Sequence, residues 1–166
     1  MESIVTWFTV HLAPYLSEEM AVFIISLLPI LELRGGLLAA SLLKVPLMAA
    51  VPICIIGNIL PIPFILLFIK KIFQWMKRFS LFRPMVEWLE AKAMGKSDKI
   101  ARWEFWGLVL FVGIPLPGTG AWTGSLIAAL LGIEFKKSIL AELLGICIAA
   151  VIMVFLSYGV LANIVN

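Results

Sequence analysis

The chain has 166 residues, of which 63% are hydrophobic, with a formal net charge of +3 at pH 7 and a mean hydropathy of +1.10. Soluble domains average about 45–50% apolar residues. A soluble globule of this size cannot bury so much apolar surface, so we expect an integral membrane protein.

The residue types present exclude several classes of chemistry. Cys54 and Cys147 lie in apolar runs without a neighbouring metal ligand, and His11 is the one histidine. Zinc, haem, iron–sulfur and disulfide-scaffold interpretations have no support, so we expect no metal and no cofactor. The sequence contains no P-loop or dinucleotide motif, which argues against ATP-driven transport by this chain alone. We expect no enzyme, because no nucleophile–base set is visible.

The first twenty residues contain Glu2, no basic region and no small-residue cleavage site, so we expect no cleavable signal peptide. Beyond them, four apolar segments follow in chain order, at about 20–43, 45–69, 104–133 and 135–160. The second and fourth are long enough to span a bilayer as helices, since a span needs about 20 apolar residues.

The first and third apolar segments are interrupted. "PILELRGG" (29–36) splits the first and "GIPLPGTG" (113–120) splits the third, leaving apolar arms of roughly 8–13 residues that each cover about half of a 30 Å hydrocarbon core. Proline removes a backbone donor and glycine permits positive φ, so both interruptions suit sharp turns. The pattern favours two re-entrant helical hairpins over four full crossings.

Charge placement supports the hairpins. The connector at 70–102 carries nine of the thirteen basic residues, so the positive-inside rule places it in the cytoplasm. Four full crossings would place Lys136 and Lys137 outside, whereas a re-entrant third segment keeps them inside. Both termini are then extracytoplasmic, and only Lys44 breaks the rule.

The two halves resemble each other at a shift of 88 residues. The shift aligns pairs at the interruptions and in the spanning helices: Phe23 with Phe111, Pro29 with Pro117, Gly36 with Gly124, and Gly57 with Gly145. Each half holds one hairpin and one spanning helix, which is a single net crossing, so the second half is inverted. We therefore expect one all-α membrane domain over 1–166, with repeat 1 at about 20–69 and repeat 2 at about 104–160, an architecture of transporters.

The connector interleaves aromatic and basic residues over 72–94, with Pro84 opening a second piece. This pattern predicts an amphipathic helix on the anionic lipids of one leaflet. It serves as an interface anchor, or alternatively as a gate or a guide for lipid headgroups.

Glu32 and Arg34 lie in the first interruption, beside Gly35 and Gly36. A charge at the centre of a bilayer costs about 2.5–3.5 kcal/mol on insertion scales, so such residues need a partner, water or a function. One interpretation is an internal ion pair that locks the loop. In the other, Glu32 binds a proton or cation and Arg34 holds an anionic group.

The second interruption is uncharged but leaves backbone groups unpaired, and the helix N-terminus beyond it points a positive dipole end at the midplane. Trp122 is expected to line or plug a substrate pocket there, although Gly120 and Gly124 also fit a helix-packing motif. Asn58 and Glu142 are further cavity candidates, and Glu142 alternatively snorkels toward Lys136 and Lys137. The predicted site residues of this second interruption are Pro115, Pro117, Gly118, Thr119, Gly120, Trp122 and Thr123.

"PILELRGG" together with "GIPLPGTGAWTG" resembles the small multidrug export protein family over roughly 20–160. The resemblance implies a small polytopic inner-membrane protein with an export role. The two hairpins and inverted repeat are also similar in architecture to the DedA/VTT membrane proteins, which implies a link to the flipping of lipids such as polyprenyl phosphates.

We therefore expect a proton-coupled small-molecule exporter with a midplane site between two re-entrant loops, and with Glu32 carrying the proton. The alternatives are a flippase or scramblase for an anionic lipid read by Arg34, and a membrane scaffold that does not transport. Two spans and two hairpins form a thin wall, so a homodimer or larger assembly is expected. No nucleic-acid partner is expected.

Overall fold

The computed structural model describes residues 17–95, 103–116 and 118–161, which fold into helices joined by short turns. A π-helical stretch, Phe155–Leu161, continues the last α-helix. The α-helices in chain order are α1 (Glu18–Leu27), α2 (Glu32–Leu42), α3 (Leu47–Ile59), α4 (Ile62–Met76), α5 (Arg83–Met94), α6 (Glu104–Gly113), α7 (Ala121–Leu131) and α8 (Phe135–Val154).

Two continuous helices in the described residues are long and apolar enough to cross a membrane, at Leu47–Met76 and Phe135–Gly159. They correspond to the predicted spans. The first combines α3 and α4, which join through a bend where Pro61 and Pro63 each lack a backbone donor. Its 30 residues rise about 45 Å, more than the roughly 30 Å hydrocarbon core, so this helix extends into the predicted connector.

The other two apolar segments are interrupted, as predicted. In the third segment the break covers 114–120, between α6 and α7. In the first, the prediction of the break at 29–36 was wrong at its C-terminal side, because the break covers 28–31 and α2 already begins at Glu32. Glu32 itself has a positive φ of 50°, and Leu33 and Arg34, which are good helix formers, follow it within the helix.

Gly36 lets three helices of the first half approach one another closely. A Cβ at Gly36 would lie 1.9 Å from Ser26 Oγ on α1 and 2.9 Å from Cys54 Sγ on α3. Gly57 on α3 packs on α1 in the same way, 3.0 Å from the carbonyl oxygen of Phe23. Gly36 is thus a packing position inside a helix and not part of a loop.

Glycines also allow close packing of helices in the second half, at positions 88 residues after Gly36 and Gly57. A Cβ at Gly145 on α8 would lie 2.9 Å from the carbonyl oxygen of Val109 and 2.7 Å from Val112 Cβ, both on α6. One at Gly124 on α7 would lie 2.8 Å from Val112 Cγ2. The pairs α1–α3 and α6–α8 therefore use glycines at equivalent positions.

The turns after α2 and α7 also repeat at 88 residues. Lys44 and Gly132 both have left-handed backbones, with φ of 57° and 74°. Pro46 and Glu134, two residues later, have φ/ψ of −57°/136° and −55°/135°. The amide hydrogen bonds that close the two helices match pairwise: Lys44 to Ser41 (3.2 Å), Val45 to Ala40 (2.9 Å), Gly132 to Ala129 (3.2 Å) and Ile133 to Ala128 (3.0 Å).

The second piece of the connector is helix α5, which begins at Arg83 just before the predicted Pro84. Lys77 pairs with Glu90 at 2.6 Å, which ties the end of α4 to α5. On α5 itself, Lys92 Nζ lies 4.5 Å from the centre of the Trp88 ring. Helix α5 packs against α7, so the connector contacts the second half directly.

We expect Gly36→Ala to lower the free energy of unfolding in detergent by about 1–3 kcal/mol, because its Cβ overlaps the Ser26 hydroxyl. Ser26→Ala in the same chain should restore part of the loss, since it removes the overlapping oxygen. Gly159→Ala is the matched control, because a Cβ there meets nothing within 4 Å. Equal thermal midpoints for Gly36→Ala and Gly159→Ala would contradict this packing argument.

Candidate functional site

The Glu32 carboxylate caps the N-terminus of α7. It is 4% exposed and accepts hydrogen bonds from the backbone amides of Ala121 (3.2 Å) and Trp122 (3.1 Å). The first amides of a helix have no partner inside the helix, and its dipole favours a negative charge at this end. The carboxylate of a residue on α2 thus caps a helix that begins 89 residues later in the chain.

Gly120 makes this contact possible. Its φ and ψ of 126° and −178° belong to a region that essentially only glycine adopts. A Cβ at this position would lie 2.0 Å from Glu32 Oε2. The glycine therefore serves both the backbone turn into α7 and the approach of the carboxylate.

Arg34 binds the other end of the same interruption, where α6 stops. Its guanidinium donates to the carbonyl oxygens of Leu116 (2.6 Å) and Ile114 (3.3 Å) and to Thr119 Oγ1 (2.9 Å). The acid on α2 thus binds the first amides of α7, and the base binds carbonyl oxygens that follow the end of α6. Glu32 and Arg34 form no ion pair with each other among the described residues, which disfavours the interpretation of an internal locking pair.

Trp122, in the second half, contacts the interrupted backbone of the first half. Its indole Nε1 donates to the carbonyl oxygen of Leu27, the last residue of α1, at 3.2 Å. Trp122 lies 88 residues after Arg34, so equivalent positions each donate to the interrupted backbone of the other half. The indole is not among the residues that line the cavity described next, where the sequence had suggested it would lie.

A cavity of about 660 Å³ lies where the two interruptions meet. Among the predicted site residues, six line it: Glu32, Arg34, Pro115, Gly118, Thr119 and Thr123. The rest of the wall is largely apolar, with Leu38, Leu126 and Met153 from α2, α7 and α8. A mostly apolar cavity of this volume with a few polar groups has the character of a small-molecule site.

The connector helix α5 also lines this cavity, with Trp88, Leu89 and Lys92. These residues were not among the site residues predicted from the sequence. The spacing of Trp88 and Lys92, four residues apart on a helix, was a signal that they share a face. Nothing in the sequence indicated that this face lines the same cavity as Arg34.

The remaining predicted site residues lie elsewhere. Gly35 and Gly36 pack α2 against its neighbours, and a Cβ at Gly35 would lie 3.4 Å from Ile25 Cγ2 on α1. Asn58 is buried in α3, with no partner for Oδ1 in the described part of the chain. Pro117 lies outside the described residues.

Glu142 is buried in the wall between α7 and α8, and does not snorkel toward the lysines. It is 0% exposed, and its Oε2 lies 2.8 Å from Ser125 Oγ. Its Oε1 has no partner in the described part of the chain. Ser125 was not among the predicted site residues, because a lone hydroxyl in an apolar helix is a weak signal. Over the described ranges, no group of three or more His, Cys, Asp or Glu side chains is placed to hold a metal ion.

A family model described as "Putative small multi-drug export protein" matches residues 32–152 of this chain. The match begins at Glu32 and includes both charged residues of α2, the whole second interruption and most of α8. No curated protein and no solved structure matches the chain significantly.

Gly120→Ala should lower the free energy of unfolding by more than about 2 kcal/mol, because it adds both backbone strain and overlap with the Glu32 carboxylate. Gly132→Ala is the matched control. It too has positive φ, but a Cβ there meets nothing within 4 Å, so a loss of about 1 kcal/mol is expected. Thermal unfolding in detergent measures both, and an equal loss would show that Glu32 does not occupy this space.

Proposed function

This chain belongs to the small multi-drug export protein family, and from that premise we propose that it is a proton-coupled exporter of small molecules. The substrate site is the cavity of about 660 Å³ between the two interruptions. The observation that carries the proposal is this cavity, lined by both interrupted segments and by the charged pair of α2. The membrane character agrees with the two apolar helices that are long enough to span.

The lengths of the short helices support re-entrant hairpins. Helices α1, α2, α6 and α7 have 10 or 11 residues each, about 15–17 Å, which is half of a hydrocarbon core. The matched glycines and turns at a spacing of 88 residues support two equivalent halves. With one net crossing per half the repeat is inverted, which is a transporter architecture with its site near the midplane.

The lining of the cavity favours a substrate with an apolar body and an anionic group. Arg34 and Lys92 contribute positive charge, whereas the charge of Glu32 is directed at the amides of α7. Arginine suits carboxylate and phosphate groups because its donors form a planar fork. The apolar side chains then contact the remainder of the molecule.

Coupling to protons acts through Glu32 in this proposal. Both carboxylate oxygens accept amide hydrogens, and protonation converts one oxygen into a donor. One amide of α7 then loses its acceptor. A proton and the N-terminus of α7 therefore compete for Glu32, so that protonation loosens two helices that line the cavity.

Leu126→Trp fills the cavity and should reduce substrate efflux from proteoliposomes at least about tenfold, the equivalent of about 1.4 kcal/mol in the barrier. Leu130→Trp is the matched control, one turn further along α7 and not among the lining residues. Undiminished efflux by Leu126→Trp, with insertion intact, would show that the substrate does not use this cavity.

Glu32→Gln keeps the shape of the side chain and removes its titration. Efflux driven by a pH gradient should be lost, while exchange of substrate without a gradient continues. The measurement compares both modes in proteoliposomes at several pH values. If the dependence of efflux on pH were the same as in the wild type, coupling through Glu32 would be wrong.

A second candidate function is the translocation of an anionic lipid such as a polyprenyl phosphate. The observation that favours it is the position of α5, an amphipathic helix whose Lys92 and Trp88 line the same cavity as Arg34. A fluorescent lipid-flip assay with Arg34→Ala separates the two functions. Equal flipping by variant and wild type would count against lipid translocation, whereas a selective loss of flipping would favour it.

A further inference from the structure

Glu142 and Ser125 form a polar pair in the apolar wall between α8 and α7, outside the residues that line the cavity. Both side chains are 0% exposed. An ionised carboxylate without a cationic partner is among the most costly groups to bury. The pair therefore requires either a counter-charge or a proton.

The number of hydrogens limits which of the contacts of Ser125 can be hydrogen bonds at the same time. Ser125 Oγ lies 2.7 Å from the carbonyl oxygen of Ala121 and 2.8 Å from Glu142 Oε2. A serine hydroxyl has a single hydrogen, and a backbone carbonyl only accepts. If Ser125 donates to Ala121, the second contact is a hydrogen bond only when Glu142 carries the hydrogen.

The charged groups around Glu142 agree with a neutral carboxyl. Glu32 on α2 would add a charge of the same sign. Like charges disfavour double ionisation, and Glu32 already accepts two amide hydrogens as a carboxylate does. This arrangement favours a proton on Glu142 while Glu32 is ionised.

The helices that pack against α8 bring no described cation to Glu142. Arg34 on α2 is bound to the second interruption, and Glu104 on α6 pairs with Lys137 at the start of α8. Helix α7 carries no charged residue. The remaining titratable residues on the packed elements and on α8 are Cys54 on α3, Lys70 and Lys71 on α4, Lys136 and Cys147 on α8, and Tyr158 in the π-helical stretch.

We propose that Glu142 and Ser125 form a second buried proton-binding site, which takes part beside Glu32 in coupling the exporter to protons, an inference that rests on the proposed function for its role in transport. Ser138 lies one turn before Glu142 on the same helix face, buried and without a partner for Oγ in the described part of the chain. It leads from Glu142 toward the charged end of α8 at Lys136 and Lys137.

The step balances in protons. In the loaded state the Glu142 O–H donates to Ser125 Oγ, and the Ser125 O–H donates to the Ala121 carbonyl. When the proton leaves to water, Glu142 becomes a carboxylate and the Ser125 O–H turns from Ala121 to Oε2. Ala121 is also the residue whose amide binds Glu32, so both carboxyl groups act on one turn of α7.

Infrared spectroscopy of the purified protein tests the site without substrate. At neutral pH the wild type should show the C=O band of a protonated carboxyl, which shifts in D₂O. Glu142→Gln should remove the band and remain folded, because its amide can donate to Ser125 as the carboxyl does. Ser125→Ala should move the band to higher frequency, because the carboxyl loses its acceptor. Glu87→Gln, an exposed partner of Arg83, is the control and should leave the band unchanged.

Two infrared results would overturn the proton site: the absence of the band in the wild type, and a band that persists in Glu142→Gln but is lost in Glu32→Gln. Transport tests the coupling role separately. Glu142→Gln should lose efflux driven by a pH gradient and keep exchange. Retention of gradient-driven efflux would overturn that role, whereas absence of transport in the wild type would count against the proposed function and leave the infrared assignment in place.

Discussion

The contact between the Glu32 carboxylate and the first amides of α7 determines how the two halves of the chain meet. A carboxylate that accepts amide hydrogens forms charge-assisted bonds, each worth about 1.5–3 kcal/mol, which offset the cost of burying the charge. Gly120 brings the backbone of α7 close enough for this contact. Arg34, two residues along α2, binds the carbonyls at the opposite side of the same interruption. Two side chains of α2 thus bind the backbone on both sides of the interruption between α6 and α7.

The contacts of Arg34 and Trp122 lie at equivalent positions of the two halves, but the two donors differ in chemistry. Arg34 and Trp122 are 88 residues apart, and each donates to the backbone where a helix of the other half ends. One donor is a cation and the other is a neutral indole. The turns after α2 and α7 have the same hydrogen bonds, so these turns match while the charges do not. This asymmetry gives the cavity charged side chains from the first half and an uncharged, mainly apolar wall from the second.

Helix interruptions and spanning helices could be predicted from the sequence because proline, glycine and apolar length act locally. The restart of α2 at Glu32 was missed, since the two glycines after Arg34 suggested a loop. Their tolerance inside a helix depends on close packing with Ser26 and Cys54, which is a tertiary effect. The partners of Glu32, Arg34 and Trp122 were beyond prediction for the same reason. Likewise, the amphipathic pattern of α5 indicated a surface helix but could not indicate that Lys92 reaches the cavity.

The long separation between partners has a consequence for biogenesis. Ala121 and Trp122 follow Glu32 by 89 and 90 residues, and Leu116 follows Arg34 by 82. At synthesis rates of about 5–20 residues per second, roughly 4–18 s pass before these partners leave the ribosome. During that interval α2 carries an acid and a base that have none of these contacts. Burial of these two side chains in an apolar environment before the second interruption is synthesised would leave both without their partners, which is the costliest state for a charged group.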